Sequence, residues 1–179
     1  MPSRSIDAAV IKAAVDTALA EDLGLGDLTT KAVIPAGTRL KLIMVSRQDI
    51  IVAGMPVALE AFHRLAPEAD ISTEVRDGDF IKGGTVMAHL QGPAAGLLSA
   101  ERTALNFLQT LSGIATLTRA YVERIDTTGA VLLDTRKTIP GLRVLSKYAT
   151  YMGGATNHRM RLDDGVLIKD NHIAVAGSA

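Results

Sequence analysis

Five side chains able to carry positive charge follow short apolar runs in the last third of this chain. Ala130-Val131-Leu132-Leu133 leads into Asp134-Thr135-Arg136-Lys137-Thr138, and Val166-Leu167-Ile168 leads into Lys169-Asp170-Asn171-His172. Between them lies Gly153-Gly154-Ala155-Thr156-Asn157-His158-Arg159. A short apolar run bounded by polar residues reads as a strand buried on both faces, the kind found in parallel sheets. Ligand sites in such folds are lined by residues just past the C-terminal ends of strands. Arg136, Lys137, His158, Arg159 and Lys169 are therefore expected to converge on one concave surface, suited to a polyanion.

The charge distribution agrees. With 19 Lys+Arg against 19 Asp+Glu, the overall balance favours neither nucleic acid nor a membrane surface. Residues 1–129 hold 12 basic and 15 acidic side chains, whereas residues 130–179 hold 7 and 4. The positive character is local and falls at loop positions. A solvated basic face is the plain alternative, and the strand-then-loop context favours a site.

Elsewhere the composition excludes more than it proposes. With no cysteine, there is no disulfide, thiolate metal site or cysteine nucleophile. Apolar residues make up 47% of the chain, enough for a core of one or two domains, and the scarcity of aromatic residues predicts an aliphatic interior with methionine as filler. The start, Met1-Pro2-Ser3-Arg4, followed by a stretch containing Asp7, Lys12 and Asp16, does not read as a signal peptide. No apolar run approaches the roughly 20 residues of a membrane span. A soluble cytoplasmic protein is the expectation.

The elements that must position the cations follow from periodicity. Ser5 can cap a helix to about residue 23, with Ile6, Val10, Ala13 and Thr17 on one face. Asp27-Leu28-Thr29-Thr30 reads as a loop. Strands are expected at 40–46 and 50–53, then a short helix opened by Pro56. Ile71, Thr73 and Val75, and later Val86, Ala88 and Leu90, alternate as half-buried strands do. From Ser99 the period becomes helical, with Ser112-Gly113 predicting a kink or two consecutive helices. A strand at 131–134, a helix over about 140–152 and a strand at 166–169 form a right-handed βαβ unit. The 49 residues from Val131 to Ala179 are too few to close a barrel, whose βα units take about 30 residues each. Cover from a partner chain, or a longer protein of which this is the front part, would resolve the shortfall, and the second is favoured.

Several motifs together resemble the quinolinate phosphoribosyltransferase family, also called nicotinate-nucleotide diphosphorylase (carboxylating). They are EDLGLGDLTT at 21–30, SAERTALNFLQ at 99–109, LSGIAT at 111–116, DTRKTIPGLR at 134–143, Asn157-His158-Arg159, and DGVLIKDNHI at 164–173. The resemblance implies an α+β N-terminal sandwich domain over 1–113, followed over 114–179 by the beginning of an incomplete α/β barrel. It implies phosphoribosyl transfer from phosphoribosyl pyrophosphate to quinolinate with decarboxylation, giving nicotinate mononucleotide, CO₂ and pyrophosphate in NAD biosynthesis. It also implies Mg²⁺, although no residue of this chain is assigned as a ligand, and a homodimer with a shared active site, or a higher oligomer.

Carried over onto these positions, Thr135, Arg136 and Lys137 would line the substrate pocket, and His158 and Arg159 would bind quinolinate. Lys169 would lie near the reacting groups, with Lys137 and Lys169 as the catalytic pair. Arg102 would reach across the dimer to a quinolinate carboxylate, oriented by Glu101. Planar Arg forks suit carboxylates and Lys point charges suit phosphate. His172 is assigned mainly to structure, Arg143 and Lys147 are either a solvated face or phosphate-proximal, and His63 and His89 carry no motif. Three other readings stand beside this one. A molybdenum-transport-associated relative shares the fold, but Lys169-Asp170-Asn171-His172 suits the biosynthetic enzymes better. A carrier-like module is suggested by Asp77-Gly78 through Val86, but no second hairpin with a modifiable lysine follows. The third is a non-catalytic fragment.

Overall fold

The computed structural model describes residues 5–177; Met1-Pro2-Ser3-Arg4, read above for a leader, and the chain's last two residues lie outside them. Helix α1 (Ala8–Leu23) is capped by Asp7, whose carboxylate accepts the Ala9 N–H at 2.7 Å, so the cap lies two residues beyond the expected Ser5. Its buried face carries Val15 and Leu19, while Ala13 and Thr17 point outward, a rotation of the expected stripe. Asp27-Leu28-Thr29-Thr30 is no loop. Asp27 accepts the Thr30 N–H at 2.8 Å and starts the short helix α2 (Leu28–Val33).

Alternation in the sequence became sheet. Strand β1 (Arg39–Val45) turns Leu40, Leu42 and Met44 inward, and the two-residue β2 (Ile50–Ile51) follows. After helix α3 (Met55–Leu65) come β3 (Asp70–Thr73), β4 (Phe80–Ile81) and β5 (Val86–Pro93). The sheet has the order β1-β5-β3, all antiparallel, with Leu42 opposite Leu90 and Leu90 opposite Ile71. Ala88 and Leu90 are buried while His89 and Gln91 face out, as a half-buried strand requires. Strands β2 and β4 form a separate antiparallel pair.

Of the two alternatives at Ser112-Gly113, two consecutive helices do not form: α4 is one helix from Ala94 to Ile125. Ser112 is buried, and its hydroxyl accepts the Ala53 N–H at 3.0 Å. One turn on, the Thr116 hydroxyl accepts the Ile51 N–H at 2.9 Å. These two hydroxyls satisfy backbone donors of the β2 segment, so the helix serves as that segment's hydrogen-bonding partner. Packing and these bonds outweigh the roughly 1 kcal/mol that Gly113 costs a helix interior. Helix α3 lies along α4, and at its start Gly54 (φ 95°) allows close approach; a Cβ there would fall 2.6 Å from Leu111 Cδ1.

Beyond α4 a 3₁₀ turn (Asp126–Thr128) leads to an extended segment, helix α5 (Arg143–Met152), and helix α6 (Asp170–Ala176). Here the strand expectations need correction. Residues 131–134 form no named strand; Leu133 makes a single parallel bridge, and its partner is Thr156. Residues 166–169 are not a strand either. Val166 is 92% exposed, Leu167 42% and Ile168 57%, against the burial on both faces expected of them. A parallel return across α5 therefore exists, but it ends in the polar stretch after Gly154. Among the described residues the fold is α+β with no closed barrel.

Candidate active site

The two short segments joined by the Leu133–Thr156 bridge carry most of the cations. Thr156 N–H donates to Leu132 O at 2.8 Å and Asp134 N–H donates to Thr156 O at 3.1 Å. The Asp134 carboxylate then draws in groups from both the second segment and α5. It accepts the His158 N–H at 2.8 Å, the Asn157 side-chain amide at 2.6 Å, and the Lys147 ammonium from α5. The two charged side chains of that ion pair are 3% and 2% exposed. Asn157 also donates to Lys147 O at 2.8 Å, which ties the segment to the helix. Lys147 is thus neither solvated face nor phosphate contact: it is buried and neutralised.

Arg143, on the first turn of α5, ties the other ends of the same segments. Its Nε donates to the Thr138 hydroxyl at 3.2 Å and its Nη1 to Met160 O at 3.4 Å. Between these ties, the Thr135 hydroxyl accepts the Lys137 N–H at 3.0 Å and shapes a tight turn. Arg136 lies half-buried within it, and its Nε is buried with no hydrogen-bond partner. A buried guanidinium donor without an acceptor is costly and is rarely tolerated without a ligand or water to satisfy it. Arg159 donates from Nη1 to Gly165 O at 2.8 Å, while the His158 and Lys137 side chains are exposed. Asp164 closes the next turn. Burial works against its charged form, but the Met160 and Arg161 N–H groups more than offset that and hold its carboxyl below the usual range.

Helix α5 is seated on the N-terminal half. Gly153 passes so close to α4 that a Cβ would lie 2.5 Å from Ala115 O. Tyr148 donates its hydroxyl to Asp77 at 2.8 Å, and burial together with the adjacent carboxylate pushes the phenol above its ordinary value. Asp77 also accepts the Gly54 and Met55 N–H groups, so the start of the carrier-like stretch serves as a cap for α3. An open depression of about 360 Å³ lies beside His158, walled by Asn157, Lys147, Tyr148 and Met160 and faced by Ile6 and Asp7.

The structure thus sets the segment carrying Thr135, Arg136 and Lys137 beside the one carrying His158 and Arg159. It does not bring the remaining candidates to them. Arg102 is exposed and Glu101 half-buried on α4, thirteen residues before Ala115, which is about 20 Å along the helix axis. Lys169 is exposed at the start of α6, where its N–H donates to His172 Nδ1 at 2.9 Å. Among the described residues no bond joins Lys169 to the Asp134 cluster. Sequence reasoning missed Asp134, Asn157 and Lys147 as organising residues. The only signal was their polarity beside a strand end and on a helix otherwise expected to be solvated. No group of three or more His, Asp or Glu able to hold a metal occurs among the described residues.

Comparison with known proteins gives this arrangement a context. The family model for the quinolinate phosphoribosyl transferase N-terminal domain matches residues 27–112, and that for the C-terminal domain matches residues 114–179. A probable nicotinate-nucleotide pyrophosphorylase (carboxylating) from Synechocystis is 45% identical over 160 residues, covering 89% of this chain and 54% of its own. The Bacillus subtilis protein of the same description is 46% identical over 158 residues, covering 88% and 54%. The crystal structure of NadC from Streptococcus pyogenes superposes with a TM-score of 0.94 at 37% identity, over 98% of this chain and 62% of that one. The chain spans about half the length of the curated relatives it matches. Matched from residue 27 to residue 179, save 113, by the two models of one family, with sequence and structure relatives that agree, the chain belongs to the quinolinate phosphoribosyltransferase family.

Proposed function

We propose that the full-length protein transfers the phosphoribosyl group of phosphoribosyl pyrophosphate to quinolinate with loss of CO₂, forming nicotinate mononucleotide. The observation that carries this reading is Arg136, whose buried Nε lacks an acceptor inside a turn that also presents Lys137 and belongs to the segment paired with the one bearing His158 and Arg159. Such a cluster fits two neighbouring carboxylates and a phosphate. Relatives described as nicotinate-nucleotide pyrophosphorylases support the choice of substrate.

In the reaction, the pyridine nitrogen attacks the anomeric carbon of the ribose. The bond to pyrophosphate breaks, and its electron pair leaves with pyrophosphate. The positively charged ring can then accept the electron pair of the bond to the departing CO₂, until a proton takes the vacated position. The chemistry calls for orientation and fixed charge rather than a covalent nucleophile. Arg136, His158 and Arg159 hold the carboxylates, Thr135 shapes the pocket, and Lys137 serves the reacting groups; Lys169, which stands apart from the cluster here, is given that role by resemblance alone. Arg102, oriented by Glu101, serves the site of a second subunit in a homodimer; its 20 Å separation along α4 from the end of α5 supports that assignment. The same reading makes residues 1–113 a sandwich-like domain and 114–179 the opening of an α/β barrel. Mg²⁺ belongs to the proposal only by resemblance. The described residues do not form a site that fits it, and no step here runs through it.

Release of CO₂ from carboxyl-labelled quinolinate by the full-length protein is the direct test. Release that requires phosphoribosyl pyrophosphate is expected. Calorimetry should show tighter binding of quinolinate than of the monocarboxylate nicotinate. Equal affinities, or no dependence on the co-substrate, would overturn the reading.

A further inference from the structure

Three donors meet on the Asp134 carboxylate: Lys147 Nζ and the His158 N–H on Oδ1, and the Asn157 amide on Oδ2. The pairing of the two segments beneath it is minimal, a single bridge with two backbone hydrogen bonds. So little sheet cannot by itself fix how far the 135–137 turn stands from His158 and Arg159. A buried ion pair, in turn, is a weak source of net stability compared with apolar residues of similar volume, and its best-attested use is to specify one register. The Asp134–Lys147 pair, with both side chains almost fully enclosed, lies at the bridge whose register sets how the two cation-bearing segments stand to each other.

We propose that Asp134, held by Lys147 and Asn157, is a positioning residue that sets the separation between the 135–137 turn and the 158–159 pair, and through it the preference for a ligand with two adjacent carboxylates. A monocarboxylate needs only one of the two segments. A dicarboxylate needs both, at a fixed distance. Arg143 closes the far end of the same frame through Thr138 and Met160, so the residues left between the ties are those that face the ligand. The inference rests on the functional reading above.

The test compares quinolinate and nicotinate binding by calorimetry in the full-length protein and two variants. The double variant Asp134→Asn/Lys147→Met removes both charges together, so no uncompensated charge is buried. Its quinolinate affinity is expected to fall roughly ten- to a hundredfold, with nicotinate affinity little changed, so the preference collapses. Asn157→Ala leaves the ion pair intact and is expected to move the ratio in the same direction by a smaller factor. Folded variants that keep the parent's ratio of affinities would overturn the proposal. If the double variant fails to fold, an unchanged ratio in Asn157→Ala overturns it alone. A parent that shows no preference defeats the functional reading first, before any variant is compared, and the proposal falls with it.

Discussion

Tyr148 and Asp77 lie 71 positions apart, yet the phenol of one donates to the carboxylate of the other at 2.8 Å. The same carboxylate accepts two N–H groups at the start of α3. One acidic side chain therefore both caps a helix of the N-terminal half and holds the helix that carries Lys147. Tyr148→Phe is expected to lower unfolding free energy by about 1.5–3 kcal/mol, the range for a hydrogen bond to a charged group. Asp77→Ala also uncaps α3, which adds roughly 1 kcal/mol. Urea titration of the two variants should show that ranking, and equal losses would mean that the capping bonds contribute nothing.

Adjacent substitutions in the middle of α4 should have opposite signs. Ser112→Ala leaves the buried Ala53 N–H without its acceptor, and a loss of about 1–3 kcal/mol is expected. Gly113 faces solvent with nothing near the position of an added Cβ. Gly113→Ala should therefore stabilise the protein, by up to about 1 kcal/mol. Thermal melts of the pair check this directly. A destabilising Gly113→Ala would show that the helix needs its freedom there.

Acid should loosen the contact between α2 and α4 at Asp27. The Thr30 hydroxyl, the Thr30 N–H and then the Ser99 hydroxyl favour its charged form and hold its carboxyl below the ordinary value of 3.8. Because the folded value is the lower one, the stabilisation is fully present above the unfolded value and is lost as pH falls through the folded value. Asp27→Asn should flatten the acid limb of a stability-against-pH curve while leaving the neutral region with a constant offset. An unchanged acid limb would assign that limb to other carboxylates.

Two arginines should complement each other across subunits if the site is shared. Arg102→Ala and Arg159→Ala are each expected to be nearly inactive in the full-length protein. Mixed, they form heterodimers with one intact site and one doubly damaged site, and activity returns. Subunit exchange without recovery would place Arg102 outside any shared site.

How far the sequence could be read depended on which force decided each element. Alternation placed β3 and β5 because their inward positions, Ile71 in one and Ala88 and Leu90 in the other, are less exposed than the neighbours between them, and burial is written in residue type. Of the kink or two consecutive helices expected at Ser112-Gly113, the second did not form because a local propensity met a tertiary demand: two hydroxyls were needed for the Ile51 and Ala53 N–H groups. The pairing of Leu133 was misassigned for the converse reason. Its partner, Thr156, lies in a polar stretch without apolar periodicity, while the apolar run at 166–168 attracted the strand assignment and is left exposed. Arg136, Lys137, His158 and Arg159 were visible as cations at chain positions that follow strand ends. Asp134 and Lys147 were not, because a buried ion pair is a relation between distant residues and neither member alone differs from a surface charge.

Helix α4 has a consequence for how motion can pass through the molecule. The two family models meet at residue 113, inside a rod of 32 residues that extends about 48 Å. Units joined by a flexible linker swing against one another by default. Here the junction lies inside a continuous helix, and Ser112 and Thr116 anchor it on either side. A bend at that point would break helix bonds and strip two buried N–H groups of their acceptors. Any rearrangement that accompanies ligand binding at the Asp134 cluster must therefore be either local to the loops around it or a tilt of the whole rod, carrying Arg102 with it as the far arm of a lever.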